Sequence, residues 1–573
     1  MRIKRIVTLL PVLLMFACCC DKLPPEAEGC DREGCFELSD LETRTDHLLP
    51  FILYNDVAAD LESVMLNGES IEFEFGQAIE FVNTGFFELA LKFKGTGEEE
   101  TILFTVSSSE RAHAEWGIAT WIPYQFETKS LRADEIIALY PHRFIEGMGV
   151  PFIFYARQNG MNMEGYSLAT AGSTGQEFYI KHGVGSVMLG KGSINSFQSF
   201  DLGAQEVDLE LQQVNSYTLE LGGTISGAYS IPENSVVLVS DNLNITGPLQ
   251  IGAGTLILVE EGVNIYNDGP VTILGQIDNP VLITCTESGK YWGGFISNGS
   301  ESRIEARYTI FCQSGFHNTG EYAGWGHAQR QALFRTQNSE LALDHCYMTD
   351  HIGQIFYPTG SVLSLDNILV QRAKTSGQLN TTTTEITNSI FTDFPDDTYV
   401  YRDEDNDALY INNSDVTISN CIFMFAKDDG VDSGLNEGGV VTVTDSRFEA
   451  CFHEGAALSS QNDVEKIHHF TGCTFFNCGQ GLELGFSSPN HSVYADSCKF
   501  LNNGIGIRYG DNYEWSSVSG QMFITRSQSL YNEKDVWNMV RNLWAPRLDR
   551  MHFDNVQVSS YVAQYPGLEV VTN

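Results

Sequence analysis

The sequence is short of basic residues and has no pair of cysteines at the Cys-x-x-Cys spacing. Its 33 lysines and arginines stand against 74 aspartates and glutamates, so the 573 residues carry a formal net charge of −41. Such an acidic chain repels nucleic acid and anionic membrane surfaces, and this argues against both as partners. None of the 13 cysteines belongs to a Cys-x-x-Cys pair, which makes a structural zinc site an unfavoured interpretation.

The sequence also lacks a hydrophobic run long enough to cross a bilayer. At the N-terminus, three basic residues precede an apolar run from Ile6 to Ala17, and Cys18 follows directly. This pattern predicts a signal peptide over residues 1–17. It resembles a bacterial lipoprotein signal, and the resemblance implies that Cys18 is lipidated and anchors the exported chain to a membrane. An ordinary signal peptide is the alternative.

The composition favours an all-β chain. Hydrophobic residues make up 42% of the sequence and aromatic residues 11%, and 53 glycines punctuate many short runs of Val, Ile, Thr and Phe. We expect a polar tether over residues 18–44 and a β-sandwich-like region over 45–215. A repeat region over 217–557 and a C-terminal tail over 558–573 complete the predicted organisation.

A repeat of 22–31 residues begins near residue 217. Its frame is one small residue per repeat: Gly353, Gly377, Ala408, Gly430, Gly455, Gly481 and Gly504. Short strands at this period predict a parallel β-helix, in which each coil buries its apolar face against the coils above and below. The repeat therefore predicts an all-β fold class, with a C-terminal parallel β-helix after a β-sandwich-like region; its right-handedness is implied by the resemblance described below.

A second column of small or apolar residues precedes the first and predicts core packing: Cys346, Ile368, Ser389, Cys421, Ser446, Cys473 and Cys498. A disulfide between Cys473 and Cys498, which fall on adjacent repeats, is an alternative. The segment 532–544 has apolar residues at helical spacing, and we expect a short helix that caps the open end of the stack.

The run "TLILVEEGVNIY…ILGQIDNPVLITC…YWGGFI" (255–296) resembles the opening coils of secreted right-handed parallel β-helix proteins of the pectate-lyase-like class. From "GWGHAQ" (324–329) onward, "DDGVDSG", "FHEGAALSS" and "CGQGLELG" resemble the β-helix of bacterial surface proteins that often carry a spore-coat-protein-H-type kinase domain. That kinase domain has no counterpart in this sequence. The resemblance covers residues 217–557 and implies the fold much more strongly than an activity.

Acidic residues cluster beside the frame residues. The frame predicts that Asp407, Asp429 and Glu454 stack on successive coils, with His453 beside Asp428. Carboxylates at the coil spacing do not all ionise freely, so either one pKa rises or a cation binds. We take these five as candidate catalytic residues. Candidate ligand-binding residues on the same face are Asp432, Gln480, Glu483, Arg508, Tyr509 and Trp515.

Part of this pattern resembles polygalacturonases, whose β-helix carries Asn-Thr-Asp, Asp-Asp, Gly-His-Gly and Arg-Ile-Lys elements on successive coils. The resemblance matches Asp407, Asp428, Asp429, His453 and Arg508 to those elements. The departures are an absent Thr before Asp407, a Glu instead of Gly after His453, and no lysine two residues after Arg508. A lyase would instead need a cation and a base such as His453 or Lys466.

Three functions stay open at this stage. The first is binding of an extended polysaccharide along the β-helix face, the second is a glycoside hydrolase or polysaccharide lyase that uses the acid cluster, and the third is a structural surface protein. Calcium is the candidate cofactor, with Asp403, Asp405 and Asp407 as ligands at alternate positions. We expect a monomeric lipoprotein at the outer membrane, facing either the periplasm or the cell surface, with a glycan as partner.

Overall fold

The computed structural model describes the strands between Phe51 and Gln212 and most of the chain from residue 216 to residue 558. The described ranges of the latter part are 216–287, 289–320, 322, 331–394, 406–434, 438–449, 451, 453–460, 464–476, 478–501, 503–510, 518–530, 532, 534–538, 549–558 and 568–570. The predicted signal peptide, Cys18 and the tether lie outside the described residues, and so do Asp403, Asp405 and Trp515.

The N-terminal strands form small sheets in which neighbours are mostly antiparallel. One sheet of four strands is built around Gly85–Phe93, and another around Val150–Gln158. The β-sandwich remains a prediction for this region. The strands are Phe51–Ile52, Leu61–Leu66, Glu69–Ile71, Ala78–Ile79, Gly85–Phe93, Glu99–Val106, Glu135–Leu139, Phe144–Ile145, Val150–Gln158, Met161–Asn162, Tyr166–Ala169, Glu177–Ile180, Val184–Leu189, Ser199–Asp201, Glu206–Asp208 and Leu211–Gln212.

From Leu219 onward the described strands pair in parallel, in a sheet of 37 strands. A strand pairs with the equivalent strand of the next coil, typically three strands later, because each coil contributes three strands. The prediction of an all-β chain with a parallel β-helix is confirmed. The chain divides into two units, which we call the early-coil unit (Gln125–Asp397 with Glu404–Ile422) and the late-coil unit (Met1–Tyr124, Thr398–Asp403 and Phe423–Asn573).

The solenoid strands of the early-coil unit enclose a core of Val, Leu, Ile and Phe side chains. They are Leu219–Ile225, Tyr229–Ile231, Val236–Ile245, Leu249–Ile251, Leu256–Val259, Ile265–Asn267, Pro270–Leu274, Val281–Cys285, Phe295–Asn298, Arg303–Cys312, Ala332–Gln337, Glu340–Thr349, Gln354–Thr359, Val362–Asp366, Leu369–Gln371, Thr375–Asn380, Thr383–Thr387, Ile390–Phe394, Leu409–Asn412 and Asp415–Ser419.

The solenoid strands of the late-coil unit continue the same three-strand pattern within that unit, beginning with a strand whose first residue is Ile422. They are Ile422–Ala426, Val431–Ser433, Gly439–Thr444, Arg447–Glu449, Glu454–Leu458, Lys466–Thr471, Thr474–Phe476, Gln480–Leu484, His491–Asp496, Lys499–Leu501, Ile505–Tyr509, Gln521–Thr525, Gln528–Leu530, Lys534–Asn538, Met551–Asp554, Val556–Val558 and Leu568–Val570.

The strand register corrects part of the predicted repeat frame. The frame is right where Val431 pairs with Ala456 and Glu454 with Gln480, because this places Gly430, Gly455 and Gly481 in one column. It is wrong at Gly377, which pairs with Phe356 rather than Gly353. It is also wrong at Gly504, since Gln480 pairs with Ile505. Equal spacing does not determine register, because coils differ in turn length.

The expected helix at 532–544 is wrong over its described part. Lys534–Asn538 is a strand that pairs in parallel with Ile505–Tyr509. Val536 enters the core there, while Trp537 covers Arg508. A further rung on the stack therefore outweighs the helical spacing of the segment. Among the described residues, no helix is long and apolar enough to cross a membrane.

The predicted cysteine column is confirmed as core packing. Cys346, Cys421, Cys473 and Cys498 are buried, and every described cysteine is a free thiol. The alternative of a disulfide between Cys473 and Cys498 is therefore wrong for this structure. The two thiols instead donate to the backbone carbonyls of Val443 and Phe470, each at 3.5 Å.

Candidate functional site

Five parallel strands of the late-coil unit position the candidate site, and we call them the site sheet. They are Val431–Ser433, Glu454–Leu458, Gln480–Leu484, Ile505–Tyr509 and Lys534–Asn538. The core residues Leu482 and Ile507 are each followed by a polar residue, Glu483 and Arg508, because successive side chains of a strand face opposite ways. The polar residues fall into two neighbouring columns.

The first column contains Asp429, Glu454 and Gln480. In the same unit Asp428 and His453 lie beside it. One carboxylate or imidazole atom from each of Asp428, Asp429, His453 and Glu454 lies within 4.8 Å of the corresponding atoms of the other three. We call these four residues the acid cluster. Within the late-coil unit, four of the residues that the sequence predicted as catalytic therefore lie together.

Contacts within the acid cluster hold its side chains in place. His453 Nδ1 lies 3.4 Å from Oδ1 of Asp428 and 3.4 Å from Oδ1 of Asp429, and it also contacts Oε2 of Glu454. The same Asp429 oxygen accepts a hydrogen bond of 2.8 Å from the backbone N–H of Glu454. Gln480 donates its side-chain amide to Oε1 of Glu454. The imidazole is therefore the common neighbour of all three carboxyl groups.

Burial and charge raise the pKa of Glu454 well above its ordinary value. Burial is the largest cause, since the side chain is only 1% exposed, and the Asp429 and Glu483 carboxylates act in the same direction. His453 opposes the shift. Because like charges cannot ionise independently at this distance, Glu454 holds its proton to a higher pH than a free glutamate. It can therefore donate a proton under conditions in which ordinary carboxyl groups cannot.

The second column is centred on Arg508. Its guanidinium lies 3.2 Å from Oε2 of Glu483 and donates a 3.0 Å hydrogen bond to Oε1 of Gln480. Its carbon Cζ is 4.5 Å from the centroid of the Trp537 ring. Arg508 is fully buried and links the two columns, because Gln480 in turn donates to Glu454. It is thus a positioning residue for the acid cluster.

The structure also describes three further residues that the sequence predicted for the site: Asp432, Tyr509 and Asp407. Asp432 lies on the site sheet and is partly exposed. Tyr509 is buried, and its hydroxyl donates to the carbonyl of Gly520 at 2.9 Å, so its role in ligand binding stays a prediction. Asp407 belongs to the early-coil unit, where it is buried and its backbone carbonyl accepts from the Thr375 hydroxyl.

Two residues of the site sheet escaped the sequence analysis. Trp537 covers the guanidinium of Arg508, and Lys534 lies with its Nζ 5.3 Å from the centroid of the Trp537 ring. Both belong to the segment that was predicted as a helix. The order of polar and apolar residues in Lys534–Asn538 does not alternate as in a half-buried strand, so the segment carried no local signal that would have identified them.

The acid cluster also has the donor types of a cation site. Carboxylate oxygens suit calcium and magnesium, whereas an imidazole nitrogen favours zinc, iron or nickel. Because His453 is part of the cluster, its donor set differs from the all-oxygen set that the sequence suggested for calcium. Of that predicted set, only Asp407 is described, and calcium stays a prediction.

Lys466, the alternative base of a lyase, is buried away from solvent. Its ammonium group donates to the backbone carbonyls of Gly434 and Ser459. Burial lowers the pKa of Lys466 to about 8, against the opposing charge of Asp432. The hydrogen bonds of Lys466 are therefore directed at backbone carbonyls inside the coil.

Fold and site together define an all-β, parallel β-helix protein with a buried cluster of carboxyl groups and an imidazole on one sheet. Comparison with known proteins adds no closer assignment: no family model matches the chain, and no curated protein is significantly similar to it.

Proposed function

We propose that this chain is a carbohydrate-active enzyme, in which the acid cluster cleaves the glycosidic bonds of an extended polysaccharide. The observation that supports this best is the buried Glu454 carboxyl group, which lies beside Asp429 and His453 and has a pKa raised well above its ordinary value by burial. A protonated acid beside a second carboxyl group is the arrangement that glycoside hydrolysis requires. The pectate-lyase-like kinship and the export as a lipoprotein are part of this proposal.

The chemistry follows from the positions of the two carboxyl groups. Glu454 donates its proton to the glycosidic oxygen as the bond to the sugar breaks, and Asp429 meets the carbon on which positive charge develops. The nearest oxygens lie within 4.8 Å of each other, whereas an inverting hydrolase needs about 6.5–9.5 Å to admit a water molecule. This separation favours direct bonding of Asp429 to that carbon. Water then displaces Asp429 from the sugar and gives a proton back to Glu454, so that the configuration is retained overall.

Binding without cleavage is the second candidate. It is favoured by the low exposure of the cluster, since Glu454 is 1% exposed. In a binding protein the buried acids would hold the strands of the site sheet in position, and side chains elsewhere would bind the polysaccharide.

The decisive experiment compares the unsubstituted chain with Glu454→Gln on a panel of polysaccharides, with reducing ends as the readout. We expect cleavage of one polysaccharide, and a loss of about 10²-fold or more in kcat for the variant, with binding retained. Glu449→Gln is the matched control. Glu449 is equally buried, but it lies outside the site sheet, on the strand Arg447–Glu449, where it pairs with Arg447. Cleavage by Glu454→Gln at the unsubstituted rate would refute the enzymatic assignment, and binding with no product from any substrate would establish the second candidate.

A further inference from the structure

A cluster of aromatic rings around an arginine lies in the early-coil unit, on the sheet formed by Ile265–Asn267, Phe295–Asn298, Ala332–Gln337 and Gln354–Thr359. We call it the tyrosine–arginine cluster, and its members are Tyr266, Tyr322, Arg335 and Tyr357. None of them was singled out by the sequence analysis, and none belongs to the acid cluster.

Register places the cluster on successive coils. Tyr266 pairs with Ile296, Ile296 with Arg335, and Arg335 with Tyr357. These residues therefore form a column with one side chain per coil, about 4.8 Å apart. Tyr266, Arg335 and Tyr357 are partly exposed, so the column meets solvent at these three positions.

Tyr322 completes the cluster from outside the sheet. Its ring is 5.9 Å from that of Tyr266, edge to face, and the Arg335 guanidinium lies 5.6 Å from its centroid. The two contacts fall on either side of Ile296, which is 2% exposed although it belongs to the same column. The Tyr322 ring thus bridges three coils and fixes the shape of the surface.

The Arg335 guanidinium is held between two rings. Its carbon Cζ lies 5.6 Å from the Tyr322 centroid and 5.4 Å from the Tyr357 centroid. Nη1 donates one hydrogen bond, to the Tyr322 carbonyl at 3.3 Å. An arginine has five N–H donors, and this contact uses one of them. Among the described residues no carboxylate lies within ion-pair distance of Arg335, whereas Arg372 and Arg508 each pair with one.

The choice of neighbours around Arg335 is unusual for a chain of net charge −41. Acidic side chains outnumber basic ones by more than two to one, so a carboxylate partner for an arginine is easily supplied by the chain itself. Here the partners are aromatic rings, which orient the guanidinium without neutralising it. The donors along its edge match the two oxygens of a carboxylate or a sulfate.

We propose that the tyrosine–arginine cluster is a subsite for a sugar ring that bears an oxyanion, either a carboxylate or a sulfate. The tyrosine rings pack against the ring carbons, and Arg335 binds the oxyanion. The inference rests on the proposed function in one respect, namely that the ligand is a polysaccharide. It goes further in stating that this polysaccharide is anionic, despite the negative charge of the protein.

The test measures binding of the full chain to two anionic probes, a galacturonate oligomer and a sulfated galactan oligomer. Each is paired with a neutral counterpart, one carboxyl-reduced and one desulfated. We expect one anionic probe to bind at least about tenfold more tightly than its counterpart. Arg335→Gln should remove that preference, and Arg335→Lys should restore only part of it, because an ammonium group lacks the bidentate edge.

Arg303→Gln is the matched control, since Arg303 is a half-exposed arginine on another sheet of the same unit that pairs with Glu305. It should leave the preference unchanged. If Arg335 serves only to hold Tyr322, Arg335→Gln weakens the anionic and neutral probes alike, and the inference is overturned. Equal binding of anionic and neutral probes by the unsubstituted chain overturns it as well.

These outcomes are separable from those of the proposed function. A chain that selects an anionic probe through Arg335 but cleaves no polysaccharide keeps this subsite and loses the hydrolase assignment. A chain that cleaves a neutral polysaccharide and ignores both anionic probes does the reverse.

Discussion

A methyl group on Gly455 would lie 2.7 Å from Cδ1 of Phe475, and one on Gly481 would lie 3.0 Å from Cδ1 of Phe500. Neither glycine has a positive φ, so the requirement here is space rather than backbone conformation. The missing side chain lets the phenylalanine ring fill the corner of the coil. As a result the preceding residue, Glu454 in one coil and Gln480 in the next, joins the polar column.

We expect Gly455→Ala to destabilise the protein by about 1–3 kcal/mol, because the added methyl overpacks the corner against Phe475 and a backbone oxygen. Gly227→Ala is the control, since a methyl at Gly227 meets nothing within 4 Å. Denaturant unfolding of both variants measures the difference. Equal midpoints for the two variants would mean that the corner relaxes at no cost.

At the scale of single residues, the sequence predicted which residues lie together better than it predicted whether each side chain is buried or exposed. The spacing of Gly430, Gly455 and Gly481 identified the acid cluster correctly, because these coils have nearly equal lengths. The burial of Tyr509 was out of reach, since its exposure depends on where a strand enters the coil. The contacts of Arg335 could not be predicted either, because they include the ring of Tyr322, which lies outside the strands of that sheet.

At the scale of elements, the late-coil unit is organised by a column of stacked phenylalanines. The rings of Phe423 and Phe448 are 5.3 Å apart, those of Phe448 and Phe475 4.7 Å, and those of Phe475 and Phe500 4.9 Å, all nearly parallel. One ring comes from each coil. Identical side chains therefore repeat the same packing at every rung, which holds equivalent strands in register.

We expect Phe475→Ala to cost about 3–5 kcal/mol of unfolding free energy, because it removes a fully buried ring from the middle of this column. Phe523→Ala is the matched comparison. Phe523 also stacks between two rings, Tyr494 at 4.9 Å and His552 at 4.6 Å, but it is partly exposed. We expect about 1 kcal/mol or less there. Similar losses at both positions would show that ring stacking, rather than burial, stabilises the coils.

The elements also show where sequence patterns mislead. Ser446, Cys473 and Cys498 repeat at equivalent places, and the prediction that they pack in the core is confirmed. The phenylalanine two residues after each of them is buried as well, which the sequence analysis did not predict. In contrast, the segment around Trp537 has apolar residues that suit a helix as well as a strand. Tertiary stacking decides such cases, because an extra rung covers the sheet edge that Ile505–Tyr509 would otherwise expose.

At the scale of the whole molecule, buried histidines make the stability of the fold dependent on pH. His351 is buried in the early-coil unit, where its Nε2 contacts the Phe311 carbonyl at 3.0 Å and its Nδ1 the Ser314 hydroxyl at 2.7 Å. Burial lowers the pKa of His351 from 6.5 to about 4. In the late-coil unit, burial and the nearby Lys466 lower the pKa of His491 to about 3.

The sign of the effect follows from proton linkage. A histidine whose pKa is lower in the folded state binds fewer protons there than in the unfolded chain, so acidification favours unfolding. The stability contributed by neutral His351 is complete above pH 6.5 and is lost as the pH falls towards 4, which amounts to about 3 kcal/mol. The pH dependence of the stability that Glu454 contributes has the opposite sign. Its pKa is raised in the folded state, so this stability is complete below pH 4.5 and is lost as the pH rises.

The net charge of −41 adds a third contribution, since protonation of surface carboxyl groups relieves repulsion as the pH falls. High salt separates this contribution from the histidines, because at 1 M salt the Debye length is only about 3 Å. We therefore expect, in 1 M salt, that denaturant midpoints fall between pH 7 and pH 4.5. Replacing His351 and His491 by glutamine should flatten that decline, whereas Glu454→Gln should steepen it. If the double variant declines as steeply as the unsubstituted chain, the acid sensitivity arises elsewhere, and His351 and His491 are not its cause.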